Sequence, residues 1–114
     1  MTNRMSIALD NDNIGGIRRF LSEHQFFIGK LSTRITVRLY EMQETREVEY
    51  VLSHFIHTPQ QADAYRPSVP YGSDEADALS SAISALTIEY RCAVNVGSEP
   101  NEGWLVPNAD FLST

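Results

Sequence analysis

Apolar and polar residues alternate most regularly between Thr33 and Met42. Ile35, Val37 and Leu39 fall on one side of an extended chain, and Arg34, Thr36 and Arg38 on the other, which predicts a half-buried strand. The same period of two returns from Glu47 to Ile56, with Val48, Tyr50, Leu52 and Ile56 on one face and Glu47, Glu49, Val51 and Phe55 on the other. Gln43-Glu44-Thr45-Arg46 between them predicts an antiparallel hairpin, although no Asn-Gly or Asp-Gly pair fixes a two-residue turn. Pairing the outer faces sets Arg34 and Arg38 near Glu47 and Glu49, cross-strand contacts worth about a few tenths of a kcal/mol each.

A helical period follows a loop. Residues 58–72 hold three of the five prolines and no repeat, so they predict an irregular connection, long for so small a domain. From Ser73 to Arg91 the spacing changes: Leu79, Ile83, Leu86 and Tyr90 recur at intervals of four, three and four, with Ala76 one turn earlier. This predicts a helix whose stripe faces the hairpin, with Ala78, Ala82 and Ala85 permitting close approach. Ser73 or Asp74 caps it, and Asp74, Glu75 and Asp77 sit where the helix dipole favours anions. Nearer the N-terminus the pattern is weaker. Met5 to Leu9 alternates as a short strand would, and Asp10-Asn11-Asp12-Asn13 breaks it. Asn13 then caps a helix running to about Gln25, with Ile14, Ile17, Phe20 and Leu21 as its stripe. Gly15 and Gly16, each costing about 1 kcal/mol inside a helix, mark a loop or loose first turn there. Beyond the long helix, Cys92 to Val96 predicts a brief strand, Gly97 to Gly103 a loop, and Trp104-Leu105-Val106 an apolar run stopped by Pro107, before a tail that docks Phe111 and Leu112. The sum is one α+β domain over 1–114: an antiparallel sheet of three to five strands, one face covered by the 73–91 helix, with a second helix at the N-terminus.

Composition adds a compartment and removes some function classes. An apolar fraction of 42% with five Phe, five Tyr and one Trp is that of a folded domain rather than a disordered chain. No run of apolar residues approaches a membrane span or a signal-peptide core, and a lone cysteine, Cys92, makes no internal disulfide, so a cytoplasmic, non-membrane protein is expected. The net charge is −6, and all of it lies in residues 58–114, where Arg66 and Arg91 face eight acids. Such a half repels phosphate backbones, which argues against a nucleic-acid partner.

Motifs for chemistry are sparse. Asp74-Glu75-Ala76-Asp77 spells the signature of a helicase family, but no phosphate-binding loop accompanies it, and Gly29-Lys30 lacks the preceding glycine that such a loop requires. The letters read as a helix start. His54 and His57 have metal-ligand spacing, yet residues three apart in a strand point to opposite faces and no third ligand lies nearby. Cys92, near the negative end of a helix dipole and without a neighbouring histidine, is a poor nucleophile. No nucleophile elbow or glycine-rich nucleotide turn appears. No catalytic residue, metal or cofactor is therefore assigned. Tyr65 and Tyr71 in the long loop, beside Arg66, have the composition of interaction hot spots. Trp104 reads first as a core plug and second as an exposed anchor. With the helix dipole accounting for Asp74, Glu75 and Asp77, the acids left for a partner to read include Glu99 and Glu102.

The order of hairpin, proline-containing loop and then Gly72-Ser73-Asp74-Glu75-Ala76-Asp77-Ala78-Leu79 opening an amphipathic helix resembles small bacterial domains of unknown function, over roughly residues 33–91. The resemblance implies a fold and no activity. Small size, an acidic C-terminal half, aromatic loops and missing catalytic motifs together lead to the expectation of a non-enzymatic protein-binding module, such as an immunity-type or anti-defence inhibitor, present as a monomer or homodimer. Its set of contact residues is Tyr65, Arg66, Tyr71, Glu99, Glu102 and Trp104. The alternative expectation is a small-molecule or metal-binding domain, or a weak enzyme, near His54, His57 and Tyr71.

Overall fold

The two strands with the strongest alternation pair as their pattern requires. In the computed structural model, which describes residues 4–113, β2 (Ile35–Met42) and β3 (Val48–Leu52) form an antiparallel hairpin with Leu39 opposite Tyr50. Ile35, Val37, Leu39, Val48, Tyr50 and Leu52 are all buried. The turn has no glycine. Arg46 takes the left-handed conformation instead, at φ 63°, and donates its N–H to the Met42 carbonyl at 2.9 Å.

The expected second strand is divided in two. Ser53 exchanges backbone and side-chain hydrogen bonds with Thr36, and the chain then leaves the sheet, so that β4 (His54–Ile56) pairs antiparallel with β6 (Leu105–Pro107) in a separate two-stranded sheet. The main sheet has the order β1-β2-β3-β5. Its outer members are β1 (Arg18–Phe26) and the two-residue β5 (Tyr71–Gly72).

β1 corrects the expected helix to Gln25. Gly15 and Gly16, the latter at φ 63°, break the chain before it. From Arg18 opposite Met42 to Phe26 opposite Ile35 it follows β2, with a bulge between Phe20 and Ser22. The bulge puts an extra residue, Leu21, into the strand, so the apolar positions lose their period of two and imitate a helical stripe. The opposite correction applies before it: Arg4–Leu9 is a short helix, α1, none of whose side chains is buried. Five alternating residues are too few to separate the two periods, whereas the turn formers after them do end the element, with Asp10 N–H on the Ser6 carbonyl.

The long helix, α2, spans Glu75–Asn95. Asp74 is its cap, accepting from the Asp77 N–H at 2.8 Å, and the Asp77 carboxylate reaches back to the Ser73 N–H, also at 2.8 Å, a reciprocal arrangement that satisfies two otherwise open donors. The helix runs through Cys92 to Asn95, replacing the brief strand expected there, because no breaker intervenes before Gly97, at φ 94°. Its buried line is Ala78, Ala82, Ala85, Leu86 and Ala93. The alanines, expected only to allow close approach, are the contact itself, while Leu79 and Tyr90 flank it and Ile83 and Ala76 are exposed. Close approach is visible at Gly72, where an added Cβ would lie 2.3 Å from the Ala78 nitrogen.

A 3-10 turn at Glu102–Trp104 leads into β6 and a second at Phe111–Ser113 ends the described chain. Trp104, 6% exposed, packs edge-on against Tyr90 with ring centroids 5.9 Å apart. Of the two tail residues expected to dock, Phe111 is buried and Leu112 is 91% exposed.

The sheet face away from α2 is held by charges, in a register other than the expected one. Arg38 stands opposite Glu23 of β1 and Val51 of β3, and bonds Glu23 at 2.9 Å. Glu49 instead pairs with Arg18. Arg34 lies over the Phe27 ring. No helix among the described residues is long and apolar enough to cross a membrane.

Candidate functional site

The connection between β4 and β5 is tied down along its length. The Thr58 N–H donates to the Gln61 side-chain oxygen at 2.8 Å, and Gln61 in turn donates to the Ile56 carbonyl. Tyr65 bridges to Ile56 through its N–H, and the Pro70 carbonyl accepts from the Tyr50 N–H, each at 2.9 Å. These bonds fix the loop beside α2 and leave a groove of about 480 Å³ between them.

One wall of the groove is Tyr50, Tyr65 and Val69; the other is the α2 face bearing Ser80, Ser81, Ser84, Ala85, Ile88 and Glu89. Burial raises the Tyr50 phenol above its ordinary pKa, and the Tyr65 phenol adds to the rise. Tyr50 therefore remains a neutral hydrogen-bond donor and acceptor at any physiological pH. The groove offers hydroxyls, an aromatic wall, an aliphatic rim and one carboxylate. No His, Cys or Lys lines it, so among the lining side chains Glu89 is the one carboxylate that could take a proton from a serine.

Of the residues expected to meet a partner, the groove contains Tyr65 alone. Arg66, next in sequence, turns to the other side of the loop and stacks over the Phe55 ring at 4.5 Å. Tyr71 stands opposite Glu49 in β5 and borders a smaller cavity with Met42, Thr45 and Glu47. Trp104 belongs to the core and offers nothing to a surface. Glu102 is engaged within the chain: its carboxylate accepts from the Thr33 hydroxyl at 2.7 Å and from the backbone N–H groups of Ser32 and Thr33 at 2.9 and 3.0 Å. Those bonds hold its carboxyl below its ordinary pKa, the Thr33 hydroxyl first among them. Glu99 is exposed in the loop between α2 and the Glu102–Trp104 turn.

His54 and His57 have separate engagements. The Nδ1 of His54 lies 2.8 Å from the Ser53 hydroxyl, and burial lowers its pKa. The Nε2 of His57 lies 3.1 Å from the Gln61 carbonyl. Among the described residues, no three His, Cys, Asp or Glu side chains gather as a metal site. Cys92 is exposed on the last turns of α2.

The groove residues that the sequence reading missed include Val69 and Ser81 as well as Ser80, Ser84 and Ile88, of which the last three recur every four residues and so share one face of α2. That spacing was visible, but a polar helix face is ordinarily solvated, and only the fixed loop opposite turns it into a wall. Comparison with known proteins finds no match among protein-family models, characterised proteins or solved structures.

Proposed function

We propose that this protein is a non-enzymatic binding module that holds a segment of another protein in the groove between the Tyr65 loop and α2. The observation that carries this reading is the exposure of three large side chains around one groove: Tyr65 at 48%, Val69 at 71% and Ile88 at 53%. Grouped apolar exposure beside hydrogen-bonding groups is the composition of a contact surface, in which an aromatic anchor and its aliphatic neighbours carry most of the affinity. The serines bond to a partner's backbone, and Glu89 selects for a basic side chain at the rim. An inhibitor of the immunity or anti-defence kind works by such occlusion and needs no chemistry of its own.

Affinity capture from the native host with the wild type and with Ile88→Arg, compared by quantitative mass spectrometry, tests this. A partner held by the wild type should be weakened by about 2 kcal/mol, roughly thirtyfold, in Ile88→Arg, while Val94→Arg, on an exposed part of α2 outside the groove lining, retains it. Identical recoveries from all three proteins, with unchanged melting temperatures, would remove the groove as the binding site.

A further inference from the structure

The Tyr65 groove leaves another part of the surface unexplained. β1 is the outermost strand of its sheet. β2 bonds one side of it from Arg18 to Phe26, and among the described residues no backbone group bonds the other. An open strand edge specifies its occupant closely, because its row of N–H and C=O groups is satisfied only by another extended backbone. At nine residues without proline, this edge is long, and its charges are ordered: Arg18 and Arg19 open the strand and Glu23 lies in its second half.

Both ends of β1 carry exposed apolar side chains. Before it comes an arm in which Met5, Ile7, Leu9 and Ile14 are exposed. Six residues of helix do not sustain themselves in water, since short helices depend on packing, and α1 buries none of its side chains. Past the far end of β1, a groove of about 500 Å³ is lined by Phe26, Phe27, Ile83 and Tyr90, with Arg91 among its lining residues. Lys30 and Arg34 stand in the turn beside it.

We propose that two copies of this chain form a two-fold dimer by antiparallel pairing of β1 with β1, each arm lying on the Phe27–Ile83 groove of the other copy. Antiparallel pairing carries the residues before Arg18 of one copy past Phe26 of the second, which is where the groove lies. Antiparallel pairing also keeps Arg18 and Arg19 of the two copies at opposite ends of the seam, whereas parallel pairing would set them against each other. Asp10 and Asp12 of the arm meet the cluster of Lys30, Arg34 and Arg91. A two-fold axis through the middle of β1 satisfies both edges at once and closes the assembly at two copies. The surface is separate from the Tyr65 groove, so the dimer stands or falls independently of the binding reading.

Light scattering and hydrogen exchange of the full chain across a concentration series test it. The expected result is a concentration-dependent species of twice the 12.8 kDa chain mass, with slowed exchange in β1 appearing together with it. Ile7→Asp and Ile83→Asp should each weaken the dimer by roughly tenfold or more, and Ile88→Arg should leave it intact. A monomer at every concentration, or a dimer whose protection lies outside β1, overturns the proposal; a β1-protected dimer indifferent to both aspartate variants overturns the seating of the arm.

Discussion

The two faces of the four-stranded sheet share the same strands and are held by different forces. Toward α2, Ile35, Val37 and Leu39 meet Ala82 and Leu86, all of them buried to within 1%, and the contact is nondirectional apolar packing. On the other face, Arg18 pairs with Glu49 and lies 4.0 Å over the Tyr40 ring, while Arg38 pairs with Glu23 and lies 4.3 Å over Phe111. There each arginine covers an aromatic ring with its planar group and spends its hydrogen bonds on a carboxylate. Alternation along a strand therefore separates a face that tolerates no vacancy from one that tolerates no change of geometry.

The strongest way to break that comparison is at the centre of the packed face. Leu86→Ala should lower stability by about 2–5 kcal/mol, because the rigid alanine line around it cannot collapse into the space; a thermal melt showing under about 1 kcal/mol would mean that the helix is not the seat of stability. Gly72→Ala probes the same face by overfilling. With Ala78 backbone 2.3 Å from the new Cβ, a loss of about 1–3 kcal/mol in chemical denaturation is expected.

Arg38→Ala removes the ion pair and the ring contact from the outer face and should cost about 1 kcal/mol. The comparison sharpens in salt: raising sodium chloride to about 1 M should shrink the Arg38→Ala effect and leave that of Leu86→Ala unchanged. Arg38→Lys, which keeps charge but loses the planar fork, should resemble alanine more than wild type.

The smallest expected effect is in pH and lies outside both faces. Burial lowers the pKa of His54, so the unfolded chain binds more protons than the folded one as pH falls through the ordinary value of 6.5, and stability should decline below it. Glu102, held below its ordinary 4.5, contributes above that value and loses its contribution as pH falls through the lower folded one. His54→Gln should flatten the first part of a stability profile and Glu102→Gln the second.

The sheet side of the packed face was legible in the sequence; its helix side, where alanines rather than Ile83 make the contact, and much of the rest were not. β2, β3 and α2 each repeat their period over enough residues to identify themselves, and the cap at Asp74 carries its own signature. β1 was hidden by the one extra residue at Leu21, since a period of two cannot survive a bulge. The partners of Arg38 and Glu49 were missed because alternation assigns faces but leaves register open, and their partners Glu23 and Arg18 lie on β1, which was read as a helix. Tyr65 was singled out from its loop and its aromatic ring, and the structure places it, half exposed, on the groove wall. Its separation from Arg66, Tyr71 and Trp104 depends on which way each turns, and no sequence spacing encodes that.

The pairing of β4 with β6 also makes the core depend on a short stretch of chain beyond α2. The strand that holds Ile56 is supplied some fifty residues later, by Leu105, and Trp104 beside it covers one side of Tyr90. A chain cut short after Asn95 would therefore leave Ile56 and that side of Tyr90 open to water, an apolar opening of the kind that drives aggregation and chaperone capture.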